Sequence, residues 1–505
     1  MRRFIIRPWT INRLFIDLLW RRIYFVYDLI VIGDDLSSHV AAAYASQNGL
    51  HTLLIAEGGL GGLYLLDDFV FNIDPTPLTG LGPEQLGIST LAELGIAPPE
   101  SESLSINPAF QVILPDHRID FYNDLSSLTA ELAREFPEWR ADILDYYNMA
   151  VDASSVFHNW VAEHPQIQPQ NLKEYFSYLK ILPFIVRYKF GAVKFDKILS
   201  QDASLEKVWE AQQALFSGNL DDLFSFASAF QYCAPLRGVS YFPQGKQFLF
   251  NALIERIESN KGLYLNNYQI SAISRNKIID LEIQAQDGAT SKVSGQNLII
   301  STKSNSLSFV RGNNKYLNIS DWFRPAKFAY YPFTIFLGVA EKCLPQEIAR
   351  HVAVVTDVAK DIYDNNLIIL ETSLPEKDKS LAQARASLTA TVYLQGSEEN
   401  WTWEALQREA DSILERLDAF LPFLKDNIEL SSIDKSIDIS LDYRKVLSPK
   451  YKVPNAFFTS FAAKSNKTRF KNIFLTGASL LTDAGFDAEI ISGKNAALQV
   501  IKKRK

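Results

Sequence analysis

The residues best placed to do chemistry are Gly33, Asp35, Ser38 and Glu57. They fall in the run Tyr27–Leu66, which reads as strand, tight turn, helix, strand, acidic residue and glycine pair. Tyr27–Ile32 is a short apolar run of the kind that forms a parallel strand buried on both faces. Gly33 ends it. Ser37 or Ser38 can cap a helix through Asn48, with Val40, Ala41, Tyr44 and Ala45 on one stripe, and Gly49 stops that helix. Thr52–Ala56 is a second apolar strand, closed by Glu57. Such a βαβ unit opens a dinucleotide-binding domain, in which the acid after the second strand holds a ribose.

The turn departs from that purpose. Glycine is needed for the sharp turn, for pyrophosphate approach and for helix–strand packing. Gly33, Asp35 and Ser38 stand in those places, so only the turn glycine is kept. Asp35 puts a carboxylate where a pyrophosphate would approach, and Asp34 adds a second. Two like charges about 4 Å apart at an effective dielectric near 20 repel by roughly 4 kcal/mol. Anions are favoured at a helix N-terminus, so these side chains can themselves fill the phosphate's place. A cation bridging aspartates and phosphates is the alternative.

The remaining chemistry-bearing residues are sparse. Cys233 and Cys343 give neither a disulfide framework nor a metal spacing, and a reducing, cytoplasmic compartment is the default. The six histidines show no metal-binding spacing, so no metal site is expected, and His39 is expected to be exposed or packed. No catalytic acid or base stands out. The 505 residues are 47% hydrophobic, enough for two domains with large cores. A net charge of −7 argues against nucleic acid as the main partner. No run reaches the ~18 apolar residues of a membrane span.

The elements that must position the turn follow in order. Residues 1–26 are arginine-rich and apolar, with Asp17 the one acid. They fit a membrane-surface helix giving peripheral membrane contact, a targeting segment, or sequence upstream of the true start. Phe69, Phe71 and Ile73 alternate as a short strand, and 107–122 reads as a hairpin. Residues 124–235 are helical, their aromatics mostly core with some available to line a hydrophobic tunnel. Gln247–Glu258 is an amphipathic helix; Leu263–Ile273, Ile278–Gln286 and Asn297–Ser301 are strands. Residues 333–395 alternate as an antiparallel sheet, and 472–497 close the chain as strand, glycine turn and helix. The fold class is α/β, with a Rossmann-like part (27–106, 236–310, 440–505) interwoven with a helical and antiparallel part (107–235, 311–439).

This order resembles the FAD-dependent superfamily of phytoene desaturases, carotenoid isomerases and amine oxidases, whose fold the Rab GDP-dissociation inhibitors share without using the flavin. The resemblance spans roughly residues 27–500. It implies FAD as the cofactor, Gly33 at the first glycine, Glu57 at the ribose, Gly61-Gly62 as the following glycine pair and Ile270 at a backbone contact to adenine. Phe69–Pro75 matches a motif in which Asp74 stands where glycine is common. In Tyr241–Gly245 with Lys246, the lysine replaces a second glycine and is expected to be solvated rather than a phosphate clamp. In the C-terminal flavin motif, Gly477-Ala478 stands where the family has Gly-Asp, whose aspartate binds the ribityl chain.

Glycines of the fold persist while ligand positions change. Two functions are therefore expected. One is a degenerate member without conventional flavin chemistry that binds a lipophilic, isoprenoid-like ligand or a protein partner. The other is an active FAD-dependent oxidoreductase.

Overall fold

The computed structural model describes residues 26–58, 62–74, 76–97, 104–164, 172–220, 223–242, 244–312, 317, 327–373, 384–443, 449–452, 464–481 and 484–504. The expectations for residues 1–25, Gly61, Pro75 and Pro243 lie outside them.

Val26–Ile32 forms the centre of a seven-stranded sheet, parallel to Thr52–Ile55 on one side and Thr290–Ser301 on the other. Thr52–Ile55 continues to Leu263–Leu265, and Thr290–Ser301 to Ile473–Thr476, again in parallel. Ile299 thus lies between Val31 and Phe474, so the first and last segments share one sheet. Leu29, Ile30, Val31 and Ile32 are fully buried, each burial stabilising the fold by about 1.5–3 kcal/mol. The expected strand over 263–273 is two, Leu263–Leu265 and Gln269–Arg275; the second pairs antiparallel with Ile279–Gln284.

The opening helix, Leu36–Gln47, is buried nearly all round rather than on one stripe. It packs between Gln247–Ser259 and the closing helix Gly485–Arg504. Gly493 makes the second contact possible: a Cβ there would lie 2.3 Å from the Ser37 carbonyl oxygen. The retained glycine is thus a helix-packing residue.

The second sheet has eight strands. Lys327–Ala340, Arg385–Gln395, Leu367–Thr372 and His351–Val355 run antiparallel, and His351–Val355 is joined in parallel by Phe110–Ile113 of the 107–122 hairpin. Lys450–Lys452, which the sequence reading groups with the Rossmann-like part, pairs in this sheet with Lys327–Ala340. Above it lie the helices Leu125–Glu135, Arg140–Glu163, Leu172–Leu199 and Ala203–Phe216. Their inward aromatics pack on one another: Tyr146 stacks on Phe195 at 4.4 Å, and Trp209 is fully buried beside both. These rings form a filled core. Cys233 and Cys343 are buried.

Candidate functional site: the turn and the cleft behind it

The chain leaves the first strand at Gly33, with φ +150°. The turn has no room above this glycine. A Cβ there would lie 2.3 Å from Ser38 Oγ and 2.6 Å from Ser301 Cβ. The helix cap is Asp35, not Ser37 or Ser38, both of which lie inside the helix. Aspartate wins because its carboxylate reaches three donors at once. Asp35 Oδ1 accepts from the Ser38 backbone N–H (3.1 Å) and Ser38 Oγ (2.6 Å). Its Oδ2 accepts from Ser301 Oγ at 2.6 Å, tying the turn to the neighbouring strand. Asp35 is 5% exposed, with its charge held against the positive end of the helix. His39, one turn on, is buried; its Nδ1 bonds the Asp35 carbonyl at 3.0 Å, and burial holds its pKa below the ordinary value.

The acid after the second strand is also engaged. Glu57 accepts hydrogen bonds from Ser304 Oγ and Ser306 Oγ, which lie just beyond Thr290–Ser301. Gly62 donates its N–H to Gln247 Oε1 at 2.9 Å and packs directly on the backbone of that helix start. Ile270 faces Ile283 across the sheet, its side chain in a buried cluster with Ile55 and Leu265.

Behind the turn, the two substituted glycine positions meet. Lys246 Nζ lies 2.7 Å from Asp74 Oδ2, and Asp74 Oδ1 accepts from the backbone N–H (3.0 Å) and hydroxyl (2.6 Å) of Thr76. Lys246 is therefore buried in an ion pair, which corrects its expected solvation: Asp74 holds the ammonium and Phe486 lies 5.1 Å from it, so little of the side chain reaches solvent. Lys303 and Glu489 form a second buried pair at 3.4 Å. Burial depresses the Lys303 pKa, but Glu489, Asp35 and Asp74 outweigh it, and the net shift is upward. Lys450 Nζ donates to the carbonyl oxygens of Ala214 (2.5 Å) and Ser217 (2.6 Å). Burial pulls its pKa down to about 7, partly opposed by Asp74.

Lys246, Lys303 and Lys450 converge on one pocket of about 40 Å³, with Ala478, Phe486 and Glu489 in its wall. That is space for a few waters. Gly477, at φ +130°, donates its N–H to Ser492 Oγ at 3.0 Å, and a Cβ on it would lie 2.3 Å from Thr302 Oγ1. The structure thus brings Gly33, Asp35, Ser38, Gly477 and Ala478 to one end of the parallel strands, with Glu57 and Gly62 flanking them. Two of the lysines pair with acids, Lys246 with Asp74 and Lys303 with Glu489, while Lys450 donates to backbone carbonyls. Among the described residues no group of histidine, cysteine and carboxylate side chains could hold a metal ion.

Sequence reasoning missed Lys303, Glu489 and Lys450. Lys303 carried a signal: it stands two residues beyond the buried strand end at Ser301, and ligands of open α/β sheets lie outside the carboxyl ends of the strands. Glu489 sits on an otherwise ordinary helix face, and Lys450 enters from the second sheet, so neither had one.

No family model and no curated protein matches the chain in sequence. Solved structures do match in shape. Cyclohexylamine oxidase from Brevibacterium oxydans superposes with a TM-score of 0.55 at 11% identity, over 95% of this chain and 100% of that one. A redesigned triple mutant of putrescine oxidase gives 0.59 at 12%, over 94% and 99%. An oxidoreductase from Methanosarcina mazei gives 0.56 at 15%, over 94% and 99%. The sheet order, the packing of first and last helices and these superpositions agree: the chain has the fold seen in these two amine oxidases and in this oxidoreductase.

Proposed function

We propose that this chain keeps the flavoprotein fold without conventional flavin redox chemistry, and works by binding a lipophilic, isoprenoid-like molecule or a protein partner. The observation that carries the reading is Asp35, whose carboxylate accepts from Ser38 and Ser301 in the turn that a diphosphate would need. Asp35 would have to leave, stripping the helix of its cap, before an anion could approach. The other positions support the reading. Glu57 already accepts from two serines, the glycine positions of two motifs hold the Asp74–Lys246 pair, and the lysines face carboxylates or carbonyls of the chain itself. In this reading the residues present do not fit a dinucleotide.

The test is a titration of the purified chain with FAD, followed by quenching of flavin fluorescence. The expected result is no saturable quenching at micromolar flavin. Tight stoichiometric binding would instead favour the second reading, an active FAD-dependent oxidoreductase, which the fold alone supports.

A further inference from the structure

Large apolar side chains are exposed unevenly over the described residues. Of sixteen that stand out to solvent, eight belong to one helix, Leu172–Leu199. Leu172, Phe176, Leu179, Val186, Phe190 and Val193 follow one another at helical spacing along a single stripe, with Pro183 on the same line. Phe190 is 76% exposed and Phe176 68%. The opposite side of the same helix carries Tyr178, Ile185, Tyr188, Ala192 and Phe195, all buried in the helical layer. A helix apolar on both sides is expected to be covered on both. This one is covered on one.

The charges say what covers the other. Lys173, Lys180, Arg187 and Lys194 recur every seventh residue and form a row beside the exposed stripe. With Lys189 and Lys197 the helix carries six cations against two acids, Glu174 and Asp196, in a chain whose net charge is −7. Arg187 and Lys194 reach Asp152 (3.6 Å) and Asp142 (2.9 Å) on the neighbouring helix, yet both stay about two-thirds exposed. A second copy of the helix would set cations against cations. The opening 25 residues, with six arginines and one aspartate, would do the same. No described helix is long and apolar enough to cross a membrane.

We propose that the outer face of Leu172–Leu199 docks the protein on an anionic bilayer surface, with Phe176, Leu179 and Phe190 in the acyl boundary and the lysine row at the headgroups. This is the arrangement of an interfacial helix, with long cationic side chains reaching past an apolar face. It does not rest on the reading of the flavin region.

The test uses the full chain with Phe190→Cys carrying a polarity-sensitive fluorophore; Cys233 and Cys343 are buried and out of the label's reach. Phosphatidylcholine vesicles with phosphatidylglycerol should shift the emission to the blue, and vesicles of phosphatidylcholine alone should shift it much less. A label at Phe423→Cys, exposed on another part of the surface, should stay unchanged. Neutralising Lys180 or Lys173 with glutamine should weaken vesicle binding roughly five-fold for each cation. No shift at position 190 overturns the proposal. So does an equal shift at 423, or a shift that grows with protein concentration without vesicles, which would mean that a second copy is the occupant.

Discussion

Replacing Asp35 by alanine separates a structural carboxylate from a ligand-binding one. The side chain caps the opening helix, and loss of such a cap costs about 0.5–2 kcal/mol. It also accepts a hydrogen bond from the hydroxyl of Ser301, a residue that is 1% exposed. A buried donor left without its acceptor costs about 1–3 kcal/mol. The Ser301 oxygen still accepts from the Lys303 N–H at 3.1 Å, but that bond gives the hydroxyl proton no acceptor, so the whole of that range applies. Asp35→Ala should therefore lose about 1.5–5 kcal/mol, read as a lower urea midpoint with an unchanged m-value. Asp35→Asn keeps the cap and an acceptor for Ser38 but leaves the Ser301 hydroxyl facing an amide donor, so its loss should be about 1–3 kcal/mol, below that of alanine. An alanine variant within about 0.5 kcal/mol of the native chain, the size of an ordinary surface change, would refute the reasoning. The carboxylate would then be dispensable to the fold.

Three further outcomes follow from the same cleft. Asp35→Gly combined with Ala478→Asp puts in place the two residues usual in the flavoproteins that the sequence resembles and should create or strengthen FAD affinity; no gain in a titration of the folded variant counts against the alignment of these residues. Asp74→Ala leaves the Lys246 ammonium buried without its carboxylate and should cost about 3–5 kcal/mol, whereas Asp74→Ala with Lys246→Ala should cost less than the two single changes together, with a coupling of at least about 1 kcal/mol in a denaturation cycle. Lys450, held near 7 by burial against its ordinary 10.5, leaves the unfolded chain holding one proton more than the folded chain between those values. Stability should thus rise with pH across that window by about 1.4 kcal/mol per unit, and Lys450→Met should flatten the rise; an unchanged slope in urea melts from neutral to alkaline pH would contradict the burial of this amine.

The scaffold could be read because its signals are local. Gly33, the apolar runs at 27–32 and 52–56, and the strand–glycine–helix at 472–497 each specify their own backbone, and the structure joins them in one sheet. The cap was harder to read. Serine and aspartate both cap helices, and the choice of Asp35 depends on Ser301, which lies 266 positions away. The same holds for Lys246: nothing beside it signals burial, because its partner Asp74 comes from a distant strand end. Lys450 is in the same position, its carbonyl partners belonging to the end of Ala203–Phe216 and the residue after it. Aromatics at helical spacing predicted a core for 124–235, but not which faces of Leu172–Leu199 stay outside, since both faces of that helix are apolar.

The central claim is that the chain's own side chains occupy the ground a flavin dinucleotide would need. The most direct measurement is the absorption spectrum of the purified protein near 450 nm, before and after denaturation to release anything bound. The account predicts a colourless protein that releases no flavin. A yellow protein that releases one flavin per chain would contradict it.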